Sequence, residues 1–337
     1  MKDLANRQYE GQGNDRKYER LKKENGEEFP DIPRKKEPYI ASKNLVEAVN
    51  DALYLRRPLL LEGEPGCGKT RLAYSVAYEL GYPLKECYIR STSRAEELLY
   101  TYDNIRRLYD LQEYKFIQSK SEEKLIDNSP ELTDVIERKK YVELGKLGEA
   151  IQLSAESNIP AVVLVDEIDK ADIDFPNDLL LVLDRLQFEI KEVKDWKYDA
   201  LRGEEREVRK DFLPLIIITS NQEKELPKAF LRRCLFYYVE FPELEDLRKI
   251  IINHFKQELS PLFEVALARF VELRGKISWR KKPSTGEFIN WLRLLEREGK
   301  NEEITDEELN KTQLGELPFL HTLVKNQSDR NALKQLI

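Results

Sequence analysis

The chain has 337 residues, of which 35 % are charged, and a formal net charge of −7. That length predicts two domains with ample core, and the mean hydropathy of −0.61 predicts a heavily solvated surface. Apolar runs such as Leu179–Leu183 and Leu215–Ile218 fall far short of the roughly 20 residues a membrane helix needs, and the acidic balance leaves no overall electrostatic footprint for nucleic acid.

Residues 1–37 alternate basic and acidic side chains with few apolar ones and close on a proline-containing stretch, so they read as a charged, flexible N-terminal tail and linker. They carry no apolar core of a secretory signal. The cysteines Cys67, Cys87 and Cys234 are few and scattered, which fits a reducing compartment and no metal site of their own. A cytoplasmic location is expected. Cys67 could be activated by a helix N-terminus.

A helix over 44–55 precedes an apolar strand, Pro58–Leu61, and then the stretch GEPGCGKT at Gly63–Thr70. A strand, a G-x-x-x-x-G-K-[ST] loop and a helix over 69–80 form the context in which this motif binds phosphate. Gly63, Glu64, Pro65, Gly66, Cys67, Gly68, Lys69, Thr70 and Arg71 are the candidate nucleotide-binding residues. The glycines let backbone N–H groups turn inward, Lys69 supplies a charge for the β/γ-phosphates, and Thr70 offers a hydroxyl to Mg²⁺. A chance match in a chain of this length has a probability on the order of 1 in 100. The cofactors expected are therefore ATP and Mg²⁺.

A strand over 84–89 and a helix beginning at 90 follow. Residues 100–141 lose clean periodicity and mix Tyr100, Tyr102, Tyr109 and Tyr114 with arginines and acids. They read as an insert, either a surface lobe or a contact for polypeptide or single-stranded nucleic acid. A helix over 144–157 leads to Ala161–Val165, the Val-rich pattern of a strand buried on both faces. This strand ends in Asp166 and Glu167, where ligands bind in open α/β sheets. Asp166 is placed to hold Mg²⁺ together with Thr70, and Glu167 to act as general base on water.

A helix over 177–186 comes next. Residues 187–213 start as alternating FEIKEV and become highly charged, which predicts a second insert, a projecting hairpin with an exposed tip. The strand Leu215–Thr219 ends at Ser220 and Asn221, and a strand over 236–241 follows Leu226–Cys234. Helices are then expected over 244–258, 263–275 and 284–298. The last opens with Ser284 and Glu287 in a capping-box relation.

The fold class expected is α/β: a core of five parallel strands flanked by helices over 38–242, and an all-helical lid with a C-terminal extension over 243–337. This order of parts resembles the AAA+ ATPases, and within them the MoxR group, in particular its CoxD-like branch. The resemblance covers about three quarters of the chain and rests on PLLLEGEPGCGKTRLA, VVLVDEIDKAD, IIITSNQEKELPKAFLRRCLF and KKPSTGEFINWL. It implies that Asn221 is the sensor-1 amide that orients the attacking water. It also implies that Arg233, with Arg232 as neighbouring candidate, is an arginine finger reaching the nucleotide of the next subunit. The usual sensor-2 arginine is replaced here by Ser284 or Thr285; any positive charge from this part is expected from Lys281 or Lys282, and the other reading is a lid that does not contact the γ-phosphate.

The resemblance further implies a homo-oligomer, a hexameric ring acting as a chaperone on a client protein, with a separate von Willebrand factor A-type partner. Two other readings stand beside it: a nucleotide-gated scaffold in bacterial defence or signalling, and a nucleic-acid-stimulated motor of the restriction-system type. The net charge of −7 argues against the latter.

Overall fold

The computed structural model describes residues 4, 7–12, 16, 18–120, 138–201, 210–299 and 304–335. Helix α1 (Lys43–Leu55), strand β1 (Leu59–Glu62), helix α2 (Lys69–Leu80) and strand β2 (Leu84–Tyr88) open the α/β part. After β3 (Tyr100–Tyr102), α3 (Asn104–Lys120), β4 (Val142–Leu144) and α4 (Lys146–Gln152) comes the inner strand β5 (Val162–Asp166). Helices α5 (Phe175–Asp178) and α6 (Leu180–Arg185), strands β6 (Gln187–Glu189), β7 (Lys197–Asp199) and β8 (Leu215–Ser220), helix α7 (Lys228–Leu231) and strand β9 (Leu235–Tyr238) complete it.

Five strands form one parallel sheet in the order β2-β5-β8-β1-β9. Strand β8 therefore lies between β1 and β5, with Leu59 beside Ile217 and Val163 beside Ile216. Because the strands are parallel, the loops that leave β1, β5 and β8 emerge at one edge and side by side. Residues Val162–Leu164 and Leu59–Leu61 are fully buried, as strands covered by helices on both faces must be.

The regular elements depart from the periodic reading where packing overrides it. Instead of a helix from residue 90, a short 3-10 turn forms at Ala95–Leu98. The helix after 144 is α-helical only to Gln152 and then widens into a π-type turn that ends at left-handed Asn158. The single helix over 177–186 is two short ones. A Cβ on Gly148 would sit 1.9 Å from the Leu99 carbonyl oxygen, so α4 approaches the preceding segment backbone to backbone. Glycine normally weakens a helix interior; here Gly148→Ala is expected to destabilise, by about 1–3 kcal/mol of overpacking, read as a lowered urea midpoint.

The expectation of a flexible tail fails for its described residues. Tyr9 is buried in the core cluster of the α/β part and Ile32 is buried as well, and the Tyr9 hydroxyl lies 2.9 Å from Ser75 Oγ on α2. Arg16 donates to the carbonyls of Tyr78 and Pro33 at 2.7 and 2.8 Å, so its charge serves the C-terminal end of α2. Leu84 N donates to Asp31 O at 3.1 Å, which covers the open edge of β2. Counting charges misses this because those charges have specific partners.

The hairpin is a further correction for its described residues 187–201, which do not project. Strands β6 and β7 pair antiparallel, and Phe188, Ile190, Val193 and Tyr198 are buried in the same cluster as the sheet. The FEIKEV alternation turns its apolar face inward. Its charged continuation, 202–209, lies outside the described residues, as do 121–137 and the Tyr114 side chain of the first insert. Of that insert, β3 pairs antiparallel with β4, and the Tyr100 ring stacks on Phe188 at 6.3 Å, joining the two insertions.

From Leu244 the described residues are helical: α8 (Leu244–Phe255), α9 (Pro261–Lys276), α10 (Thr285–Gly299), α11 (Asp306–Lys311) and α12 (Gln327–Lys334). They enclose their own core, centred on Phe270 and Phe288, whose rings stack at 4.1 Å, and on buried Trp291. The Ser284 hydroxyl accepts from Glu287 N at 3.3 Å and the Glu287 carboxylate accepts from Ser284 N at 2.7 Å, the reciprocal cap that starts α10. Among the described residues no helix is long and apolar enough to cross a membrane.

Candidate nucleotide site

The loop between β1 and α2 curls because Gly66 and Gly68 adopt φ of +79° and +101°. Space forbids a side chain there as firmly as the backbone does: a Cβ would come within 2.3 Å of Ser284 at Gly66 and 2.9 Å of the Tyr39 ring at Gly68. Lys69 is buried and donates to the carbonyls of Gly63 and Glu64 at 2.7 and 3.1 Å. Its amine thus lies within the loop, aimed by two neutral acceptors that an anion would displace.

Strand β5 brings the acids to this loop. Asp166 Oδ1 accepts from Thr70 Oγ1 at 2.9 Å and from Thr219 Oγ1 at 2.7 Å. Thr219 Oγ1 in turn accepts from Glu167 N at 2.8 Å. Glu167 leaves the strand with φ +60°, a left-handed conformation uncommon outside glycine and met at functional sites. Its carboxylate accepts from Asn221 Nδ2 at 3.0 Å and pairs with Lys170. Hydrogen bonding to Glu167 holds the Lys170 ammonium above its ordinary pKa.

Thr219 and Asp169 were not anticipated. Thr219 stands two residues before Asn221, and the period-2 alternation of a strand is the signal that could have found it. Asp169 is buried, and its Oδ2 accepts the backbone N–H groups of both Asn221 and Glu223 at 2.9 Å. It therefore fixes the turn that points Asn221 at Glu167. Asp169→Ala takes the acceptor from two part-buried donors, at a cost of about 0.5–1.5 kcal/mol each. A lowered denaturation midpoint, together with slower phosphate release, is the expected measurement.

A cavity of about 1090 Å³ opens between the sheet edge and the helical part. Its walls include Pro65 through Arg71, Glu167, Thr219 and Asn221 from the α/β part, and Ile250, His254, Ile289 and Arg293 from α8 and α10. Arg71 stands at the rim, largely exposed and 3.5 Å from Glu37. Cys67 is buried, and burial, outweighing the nearby Lys69, pushes its thiol up. A buried thiol shifted this way is an ordinary residue of the motif's variable positions and not an activated thiolate.

The remaining expected residues lie elsewhere. Glu64 turns its carboxylate out of the cavity toward the helical part, 2.9 Å from Lys282 and 3.1 Å from Arg274. Burial alone would raise its pKa, yet these two cations hold it below the ordinary carboxylate value. Lys281 is 3.7 Å from Glu287. Neither lysine lines the cavity. Arg233 donates to Asp184 at 2.7 Å and to the Ala229 carbonyl at 3.0 Å, and Arg57 donates to the carbonyls of both Arg232 and Arg233. The arginine pair also lies outside this chain's own cavity.

The donor set fits a nucleoside triphosphate with Mg²⁺: a glycine loop, a buried lysine, and a hydroxyl and a carboxylate oxygen side by side. Thr70 and Asp166 would hold the ion. Among the described residues no group of three or more His, Cys, Asp or Glu could hold a metal unaided, and Mg²⁺ ordinarily takes its other ligands from phosphate and water.

A parallel sheet whose central strand ends carry a phosphate loop, an Asp-Glu pair and a polar residue facing them, followed by a helical lid, defines the P-loop nucleotide domain of AAA+ proteins. Residues 58–234 match the model of the AAA domain, dynein-related subfamily. This is more than half of the chain, and the protein belongs to that family. No curated protein matches it.

Proposed function

We propose that the chain binds ATP with Mg²⁺ in this cleft and hydrolyses it as a MoxR-type AAA+ protein. On this reading a ring of copies uses the cycle to remodel or mature a client protein. The observation that carries the reading is the unbroken line of contacts from Thr70 through Asp166 and Thr219 to Glu167 and Asn221. It supports Glu167 as a base and Asn221 as an orienting amide beside the loop that would take the phosphates.

Bound Mg²⁺ would neutralise charge on the phosphate oxygens. Lys69 would exchange its loop carbonyls for those oxygens. Glu167 would take the proton of the attacking water, and Asn221 would orient that water. Arg233 stands outside its own cleft, which suits a guanidinium offered to a neighbouring copy; that is the reason for a ring, taken as a hexamer. The four stretches resembling the MoxR group support a chaperone role and a von Willebrand factor A-type partner. These 337 residues hold no D-x-S-x-S signature, so the proposed partner domain lies outside them.

The test joins phosphate release to sedimentation velocity, both with Mg²⁺ and ATP. Turnover that rises with assembly is expected. Assembly without turnover would favour the nucleotide-gated scaffold, and a monomer that binds ATP and never releases phosphate would overturn the reading. The client would be sought among proteins that co-purify with Glu167→Gln.

A further inference from the structure

Two cations of the helical part reach Glu64 of the phosphate loop, Lys282 and Arg274, and the buried one is Arg274, near the end of α9. Its side chain is only 12 % exposed. Its guanidinium touches three different parts of the molecule. It donates to Glu64 of the phosphate loop at 3.1 Å, it donates to the carbonyl of Pro283 just before α10, and it lies 3.4 Å above the ring of Phe241, in the segment joining the two parts. The Trp279 indole holds the Arg274 carbonyl at 3.0 Å.

On the loop side, Glu64 is engaged twice by its carboxylate, to Arg274 and Lys282, and once by its own carbonyl, to Lys69. One residue thus joins the lid to the lysine of the nucleotide site. The segment bearing Lys282 is anchored from behind, because buried Asp329 on α12 accepts the N–H groups of Arg280 and Lys281 at 3.0 and 3.2 Å.

We propose that Arg274 and Glu64 form a positioning pair that sets the helical lid over the phosphate loop and so determines how tightly the cleft holds a nucleotide. This inference rests on the proposed nucleotide reading of the cleft. A planar guanidinium that stacks and hydrogen-bonds at once fixes an orientation that a lysine cannot. Lys282, about half exposed, adds charge at the rim and is the secondary partner.

The experiment uses the full-length chain with Arg274→Ala, Glu64→Ala, the double variant and Arg274→Lys. Spin labels at Asp51→Cys on α1 and Ala268→Cys on α9, both exposed positions, report the distance between the two parts without nucleotide; the native cysteines are buried. ADP affinity is measured by isothermal titration. The expected result is a narrow distance distribution in the parent, broadened by either alanine variant and no broader in the double, with ADP affinity falling about 5- to 50-fold in each single variant and not further in the double. Arg274→Lys should fall between. If Glu64→Ala leaves the distances and the affinity unchanged while Arg274→Ala alters them, Arg274 serves only the lid's own folding and the pairing is wrong. Additive effects in the double variant would overturn it as well. A parent that binds no nucleotide would refute the reading of the cleft, while the label distances would still decide the pair.

Discussion

Arg233→Ala is expected to bind ATP normally as a monomer and to lose on the order of 10³-fold or more of its turnover in assembled rings, the range in which an arginine finger acts. Within its own chain the guanidinium is 2.7 Å from Asp184 and outside the cavity, so its loss should leave the local phosphate loop intact. A half-exposed ion pair of this kind contributes little to stability, and the thermal midpoint should move by no more than a degree or two. Mixing gives the sharper measurement. On the proposed ring reading, Arg233→Ala and Glu167→Gln would damage different halves of one shared site, and mixed rings would regain interfaces with both groups present. No recovery of phosphate release at any mixing ratio, with co-assembly verified, would count against a finger acting across the interface.

Glu167→Gln should lose turnover by about 10²- to 10⁴-fold, the usual contribution of a positioned general base, while ATP affinity stays within a few-fold of the parent. The amide keeps the size of the side chain and can still face Asn221, but it cannot take a proton. Lys69→Ala should do the reverse. The buried amine is the loop's one side-chain cation, and losing its charged hydrogen bonds to phosphate removes about 3 kcal/mol or more, roughly 100-fold in affinity. Isothermal titration and phosphate release on both variants separate the roles. Equal loss of binding in the two would show that Glu167 holds the nucleotide and is not the base.

Much of the site could be read in the chain because its chemistry is local. A loop of closely spaced glycines before a helix and a pair of acids after a run of valines are statements about backbone curvature and strand burial, and both are written in consecutive residues. The same holds for the reciprocal cap of Ser284 and Glu287, and for the strand whose polar end presents Asn221. Helix α2, from Lys69 to Leu80, has the bounds its periodicity and Gly81 predict, because the glycine takes the left-handed C-cap at φ +69° that ends a helix.

What the sequence by itself determined is therefore the five strands of the parallel sheet, the phosphate loop and the residue types at the strand ends. The tertiary structure alone decided which of those ends are neighbours. Placing β8 between β1 and β5 lets Thr219 bridge Asp166 and Glu167, and no spacing along the chain encodes that bridge. It also decided where charges go. Arg16 lies on the end of α2, Arg274 is inserted between Glu64 and Phe241, and Lys282 turns to Glu64 and not to the cavity. The physical reason is that apolar periodicity is set by one element's own geometry, whereas a charged side chain takes whichever partner the packing of separate elements brings within a few ångströms.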